Sequence, residues 1–289
     1  MPLPPLLISG ASTPAPRWRG SKTAVVACAA LVVVVLLALL APVLTSYGEA
    51  QILPGSELLP PSRTHLFGTD VLGRDVLTRV LYGSRISLGL AFLATVVATA
   101  LGTAVGAAAG YSGGRVDALL MRLVDTLLAL PRVLLLIGLL AIWPQLPLHV
   151  FVLVLGLTAW FPLSRLVRAE VRAIVTRDHV LAARALGSGH LQIVFRHVLP
   201  NAIGTVLVAA PLIAGGVIVL EAGLSFLGVG VQPPTASWGS IAYDGFEVVN
   251  SAWWVALFPG LAIAFTVTAI NMLGDVLRDA LDPRQLPLR

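Results

Sequence analysis

From Ala24 to Leu44, and again from Ile86 to Ala109, the chain carries no charged residue. These two runs limit its fold more than any other feature. A helix that crosses the hydrocarbon core of a bilayer needs roughly 20 mostly apolar residues, and both runs meet that length. Four further apolar stretches follow, at about Leu127 to Trp143, His149 to Leu163, Ile203 to Leu220 and Trp253 to Leu273. The chain is 57% hydrophobic and 11% charged, with a mean hydropathy of +0.91, and one soluble core cannot hide that much apolar surface. Open sheet edges are not tolerated in hydrocarbon. The expected fold is all-α: a polytopic membrane protein with six transmembrane helices, covered largely by lipid.

Short cytoplasmic loops of such proteins carry an excess of Lys and Arg. With the N-terminus inside, the cytoplasmic segments hold Arg17, Arg19 and Lys22, then Arg115 and Arg122. Next come Arg165, Arg168, Arg172, Arg177, Arg184 and Arg196, and finally Arg278, Arg284 and Arg289. The outside receives Arg63, Arg74, Arg79 and Arg85, while Arg132 lies near the start of the third helix. Both termini are therefore expected in the cytoplasm. The net charge of +5 follows from topology and calls for no nucleic-acid partner. The first apolar run exceeds the length of a signal-peptide core, and Pro42-Val43-Leu44-Thr45 offers no small-x-small cleavage site, so it reads as a retained anchor. Cys28 within it has no partner cysteine and is expected as a small buried hydrophobe.

The chain divides into a disordered cytoplasmic N-terminus over 1–23, a first helix with an external segment over 24–85, a membrane domain over 86–280 and a cytoplasmic tail over 281–289. Gly102, Gly106 and Gly110 recur every four residues, which lines small residues along one face and permits close helix packing. The neighbouring Thr95, Thr99 and Thr103 stripe could line a pore, but threonine hydroxyls can bond their own helix backbone, and packing is the favoured reading.

A polar segment runs from 165 to 201 between two apolar stretches. Asp178 is placed to cap a short helix running through Leu186, with its charge at the positive helix end. Gly187 can then take the left-handed conformation that ends a helix without a Cβ penalty. Ala182 and Ala183 form a small face that another protein's backbone can approach. Pro200 suits the first turn of the next membrane helix, where its missing N–H is no loss. A short helix, a turn and a second short helix lying along the membrane surface are expected.

Catalytic patterns are missing. Lys22 is the sole lysine, so no G-x-x-x-x-G-K-[ST] phosphate loop exists. His65, His149, His179, His190 and His197 make no H-E-x-x-H arrangement. Gly223-Leu224-Ser225-Phe226 lacks the second glycine of a serine-nucleophile elbow.

The loop carries Leu181-Ala182-Ala183, followed by Arg184, with Gly187 four residues after Ala183 and Leu199-Pro200 some twelve residues beyond that. This spacing resembles the EAA loop of ABC importer permeases, with Leu181 standing where the family has Glu. Phe67-Gly68-Thr69-Asp70, Gly73-Arg74-Asp75, Gly83-Ser84-Arg85, Gly110-Tyr111-Ser112-Gly113-Gly114-Arg115, the block Glu221 to Pro234 with Ser237-Trp238-Gly239, and Asn271 to Arg284 together resemble the dipeptide/oligopeptide/nickel branch, closest to its C-type subunit.

The resemblance implies a type I (MetI-like) permease fold, a second B-type permease, two ATPase subunits and an external peptide-binding protein. ATP and Mg would be bound by the ATPase subunits, with no cofactor in this chain and no catalytic residue. In alternating access, Leu181, Ala182, Ala183, Arg184, Gly187, Leu199 and Pro200 would couple the chain to an ATPase. Apolar packing of Leu181 would replace the family carboxylate's contact. Glu221, Ser225 and Phe226 are candidates in the translocation path or a partly re-entrant external element, with Glu221 bonded to backbone or paired with Arg74 or Arg85. A secondary transporter or channel without an ATPase partner is the alternative.

Overall fold

The computed structural model describes residues 22–143 and 146–281. The expected disordered N-terminus, apart from Lys22 and Thr23, lies outside the described residues, as does the tail after Leu281. Arg17, Arg19, Arg284 and Arg289 fall there too. Lys22 and Thr23 begin the first helix, and Leu281 ends the last, so both expected boundaries move outward.

Among the described residues the regular structure is helical, with one isolated antiparallel bridge between Thr69 and Asp75. In chain order the helices are α1 (Lys22–Leu39), α2 (Ala41–Leu44), α3 (Val76–Ser112), α4 (Gly114–Ala129), α5 (Arg132–Ile142), α6 (Leu148–Ala159), α7 (Phe161–Val175), α8 (Asp178–Ala185), α9 (His190–Ile193), α10 (Leu199–Phe226), α11 (Trp238–Phe246) and α12 (Trp253–Leu281). A π-helical turn, Val194–Val198, joins α9 to α10. Lys22–Leu39, Val76–Ser112, His190–Phe226 and Trp253–Leu281 are each long and apolar enough to cross a membrane. Two bent pairs, α4 with α5 and α6 with α7, bring the spans to six when each pair counts as one.

Helix α3 starts at Val76 rather than Ile86 because Asp75 caps it: the Thr78 amide donates to Asp75 Oδ1 at 2.8 Å. The third and fourth apolar stretches are not straight. Pro131 precedes α5, and the helices on its two sides meet at 78°; Trp160 and Pro162 mark a 45° bend between α6 and α7. Proline removes an i→i−4 bond and crowds the preceding turn, and α4 and α7 carry the charged residues of their pairs apart from Arg132, which opens α5. The apolar halves α5 and α6 pack inside, with Leu136 and Leu155 fully buried.

The glycine stripe of α3 packs against α7. A Cβ at Gly106 would stand 2.5 Å from the Ser164 carbonyl oxygen, and one at Gly110 would stand 2.8 Å from that of Arg168. Where α7 lies this close, Arg168 forms a bidentate pair with Asp117 of α4, its Nη2 donating to Oδ2 at 2.5 Å. Thr99 donates to the Thr95 carbonyl at 2.8 Å, the backbone role expected of the stripe, whereas the buried Thr95 hydroxyl has no partner among the described residues. Cys28 is exposed on α1, contrary to expectation, because α1 is apolar on all sides and only one narrow face, at Ala24, Ala27, Val34 and Ala38, is covered.

Three hydrophobic clusters hold the described residues together, the smallest around Met121, Val124 and Phe161 between α3, α4 and α7. The largest joins α3, α5, α6, α10, α11 and α12 around Leu90, Leu136, Leu155, Ile218, Trp238 and Val255. The second joins α3, α7, α8, α9 and α10 around Val167, Val171, Ile174, Val180, Ile193 and Val198.

Candidate functional site

The polar segment after α7 folds as a helical hairpin on this second core. Helix α8 ends in a complete Schellman turn: the Gly187 amide donates to Arg184 O at 3.0 Å and the Ser188 amide to Ala183 O at 3.1 Å. Gly187 takes φ +82°, which a residue without a Cβ adopts freely. Arg184, in the last turn of α8, suits the negative end of the helix dipole.

Asp178 is not the cap. Arg177 occupies that position with extended backbone and no side-chain bond, and Asp178 is the first helical residue, where its charge still favours the helix start. Leu181, Ala182 and Arg184 face outward, whereas Ala183 is buried with Val180 one helical turn before it. The expected two-alanine face therefore presents only Ala182. The 3.6-residue period assigns Val180 and Ala183 to the inner side.

The chain beyond the turn is not a separate surface helix. His190 to Phe226 is continuous, running through the π turn into Leu199 and Pro200 at the start of α10. Proline lacks the N–H that would bond the carbonyl four residues back, and a wider turn absorbs that loss; the Asn201 side chain donates to the His197 carbonyl at 2.6 Å. The hairpin is anchored at its base as well, where the Tyr111 hydroxyl lies 2.9 Å from His190 Nδ1.

Residues that the motif reading missed dominate the hairpin's outer rim. Leu186 is 87% exposed, Leu191 74% and Phe195 67%. Leu191 and Phe195 are spaced i, i+4, so a helical reading of this stretch would have placed them on one face.

At the opposite end of α10, Glu221 is 1% exposed. The Ser225 and Ser237 hydroxyls both donate to its Oε1 at 2.7 Å, while Oε2 has no partner. Neither Arg74 nor Arg85 reaches it. Arg74 binds Asp70 at 2.7 Å and Asp244 at 3.4 Å, and Arg85 is exposed near the Tyr82 ring. Leu224, Ser225 and Phe226 form the last turn of α10. The chain reverses at Gly228, φ +77°, and Gly230 packs on the Ser225 backbone so closely that a Cβ would clash.

Ser237 then opens α11 with a reciprocal cap with Ser240, and the buried Trp238 Nε1 donates to Val80 O at 3.0 Å. Phe226 is part-exposed against Phe246 and Tyr243, with ring centroids 5.0 and 6.2 Å away. Nearby, Asp70 is fully buried and accepts from Arg79 at 2.7 Å as well as from Arg74. No group of three or more metal-ligating side chains occurs among the described residues.

These features define a multi-pass helical membrane subunit with a rigid helical hairpin at one end and a buried polar cluster at the other. Residues 102–286 match the family described as binding-protein-dependent transport system inner membrane component, and residues 16–61 match the N-terminal TM domain of oligopeptide transport permease C. The chain is 37% identical over 268 residues to the oligopeptide transport system permease protein OppC of Bacillus subtilis, covering 93% of this chain and 88% of that one. It is 44% identical over 273 residues to the dipeptide transport system permease protein DppC of Escherichia coli K12, covering 92% and 91%. A putative peptide transport system permease protein of Brucella suis is 43% identical over 256 residues, covering 88% and 85%.

The chain belongs to the family of binding-protein-dependent transport system inner membrane components. It is thus a non-catalytic, multi-pass permease subunit of an ABC transporter in the inner membrane. Its family works with a partner permease, ATPase subunits and a substrate-binding protein.

Proposed function

We propose that the chain is the C-type permease of an ATP-driven importer of dipeptides or oligopeptides. It forms half of the translocation path with a B-type permease, takes cargo from an external peptide-binding protein and has both termini in the cytoplasm. The division into an N-terminal helix with external segment and a membrane domain carrying the loop 165–201 is part of this reading. The relatives named above as peptide permeases support the cargo class.

The hairpin carries the coupling role. Its inner residues Val180, Ile193 and Val198 are buried in the core shared with α7 and α10, while Leu181, Leu186, Leu191 and Phe195 are left outward. An apolar rim on a rigid mount suits a groove in an ATPase subunit, because displacement of the rim moves α7 and α10 with it. Leu181, part-exposed beside this rim, supplies apolar contact where the family uses a carboxylate; burying a leucine contributes roughly 1.5 to 3 kcal/mol. Ala182 lets the partner backbone approach, Gly187 sets the reversal, and Leu199 and Pro200 join the hairpin to α10. Glu221, Ser225 and Phe226 hold the external reversal of the chain and make no substrate contact in this reading.

The test is ATP-driven peptide uptake by the four-subunit complex and its binding protein in proteoliposomes, with Leu186→Asp and Leu191→Asp introduced together. We expect uptake and ATPase retention on the membrane subunits to fall in step. Wild-type values for both would refute hairpin docking.

A further inference from the structure

Arg132 is a cation inside a membrane span, and such groups mark ligand pathways by default. Of the five N–H donors of a guanidinium, two are used on α6: Nε donates to Thr158 Oγ1 at 3.1 Å and Nη2 to Leu155 O at 2.9 Å. The other three have no partner, and no carboxylate pairs with Arg132 among the described residues. The arginines of α3 and α7 that pair with Asp70, Asp117 and Asp125 show what the chain does with structural cations.

Arg132 instead lines an open groove of about 520 Å³ together with Gly215, Gly216 and Asn271, the rest of its wall being aliphatic. Asn271 is exposed and makes no side-chain hydrogen bond. A Cβ at Gly216 would meet nothing within 4 Å, so the groove is open at its backbone. The glycines lie near the midpoint of α10 and Asn271 in the C-terminal half of α12.

We propose that this groove binds the C-terminal carboxylate of a peptide in transit, with Arg132 as the cationic donor and Asn271 as a neutral one. This rests on the peptide reading above. Every unmodified peptide carries that carboxylate whatever its side chains, so one guanidinium serves cargo of varied sequence, and its planar fork matches a carboxylate's geometry. The volume suits a small ligand, for which about 300 to 1,000 Å³ is usual, whereas a partner helix is about 10 Å across. Lipid headgroups lie at the membrane surface, away from the helix midpoints. The tether to α6 holds the guanidinium in place without neutralising it.

The experiment compares uptake of dialanine with uptake of its C-terminal amide by the full complex with its binding protein, for wild type, Arg132→Gln, Arg132→Lys and Gly216→Leu. For Arg132→Gln, dialanine uptake should fall about tenfold or more, the loss expected for a charge-assisted hydrogen bond, while amide uptake stays at its wild-type level. Arg132→Lys should recover part of the loss. Gly216→Leu, which fills the groove without touching the tether, should also lower dialanine uptake.

An equal fall for acid and amide in Arg132→Gln, or an unchanged acid-to-amide ratio, overturns the inference alone. So does loss of the partner permease from the purified complex, which would make Arg132 an interface residue. Wild-type uptake by Gly216→Leu overturns it as well. Wild-type complex that imports neither probe, nor any other peptide, refutes the peptide reading and this inference with it.

Discussion

Gly187 and Glu221 show how much one residue decides here. At φ +82° a left-handed turn costs non-glycine residues roughly 1 to 2 kcal/mol, and a β-branched side chain is a genuine outlier. Gly187→Val is therefore expected to displace α8 from its turn and lower ATP-driven uptake severalfold, while the assembled complex stays in the membrane. Open space surrounds the Gly187 Cβ position, so the effect is backbone strain and not a clash; Gly187→Asn, which tolerates that conformation, should retain most of the uptake. At Glu221, replacement by Ala would leave the Ser225 and Ser237 hydroxyls without their acceptor, at a cost of about 1 to 3 kcal/mol for each buried group left unpaired. Glu221→Gln keeps an acceptor oxygen. We expect Ala to lower the thermal unfolding midpoint of the detergent-solubilised complex clearly more than Gln does.

Between elements, the closest approach of α3 to α7 is controlled by which atoms face each glycine. A Cβ at Gly106 meets the Ser164 carbonyl and, at 2.8 Å, Val167 Cβ, whereas one at Gly102 meets the Leu163 side chain, Cδ2 at 2.9 Å. Leu163 Cβ and Cγ, at 3.0 Å, crowd the Gly102 position too, but a side chain can turn aside where backbone cannot. Gly106→Ala should thus destabilise by about 1 to 3 kcal/mol, the usual overpacking cost, and Gly102→Ala by less. Gly89→Ala on the same helix, with nothing within 4 Å, serves as the neutral reference. Thermal unfolding of the three variants ranks them. Equal losses at Gly102 and Gly106 would show that the two helices are not pinned by backbone contact.

For the whole molecule, orientation is the open quantity that a direct measurement fixes. In a Cys28→Ser background, a cysteine at Ser188 should react with a membrane-impermeant thiol reagent only from the cytoplasmic side, and one at Ser62 only from outside. Labelling of both positions from the opposite sides would reverse the topology and remove the hairpin from any ATPase.

The apolar pattern alone determined the class of fold, because the length of an uncharged run and the demand for internally bonded backbone are local properties of a segment. The same holds for the turn at Gly187, which depends on glycine's own conformational freedom. Both bends escaped the hydropathy reading, since Pro131 and Pro162 interrupt helices without interrupting apolar character.

The partners of charged groups were decided only by tertiary structure. Glu221 was expected to reach its own backbone or an arginine, and instead binds Ser225 one turn away and Ser237 sixteen positions along the chain; the arginine Arg74 turns to Asp70 and Asp244. The inward side of Ala183 and the groove beside Arg132 likewise depend on how α5, α6, α8, α10 and α12 pack. A hydrogen bond needs two atoms within about 3 Å, and which distant segments come that close is a property of the packed helices as a set, which no single stretch of sequence contains.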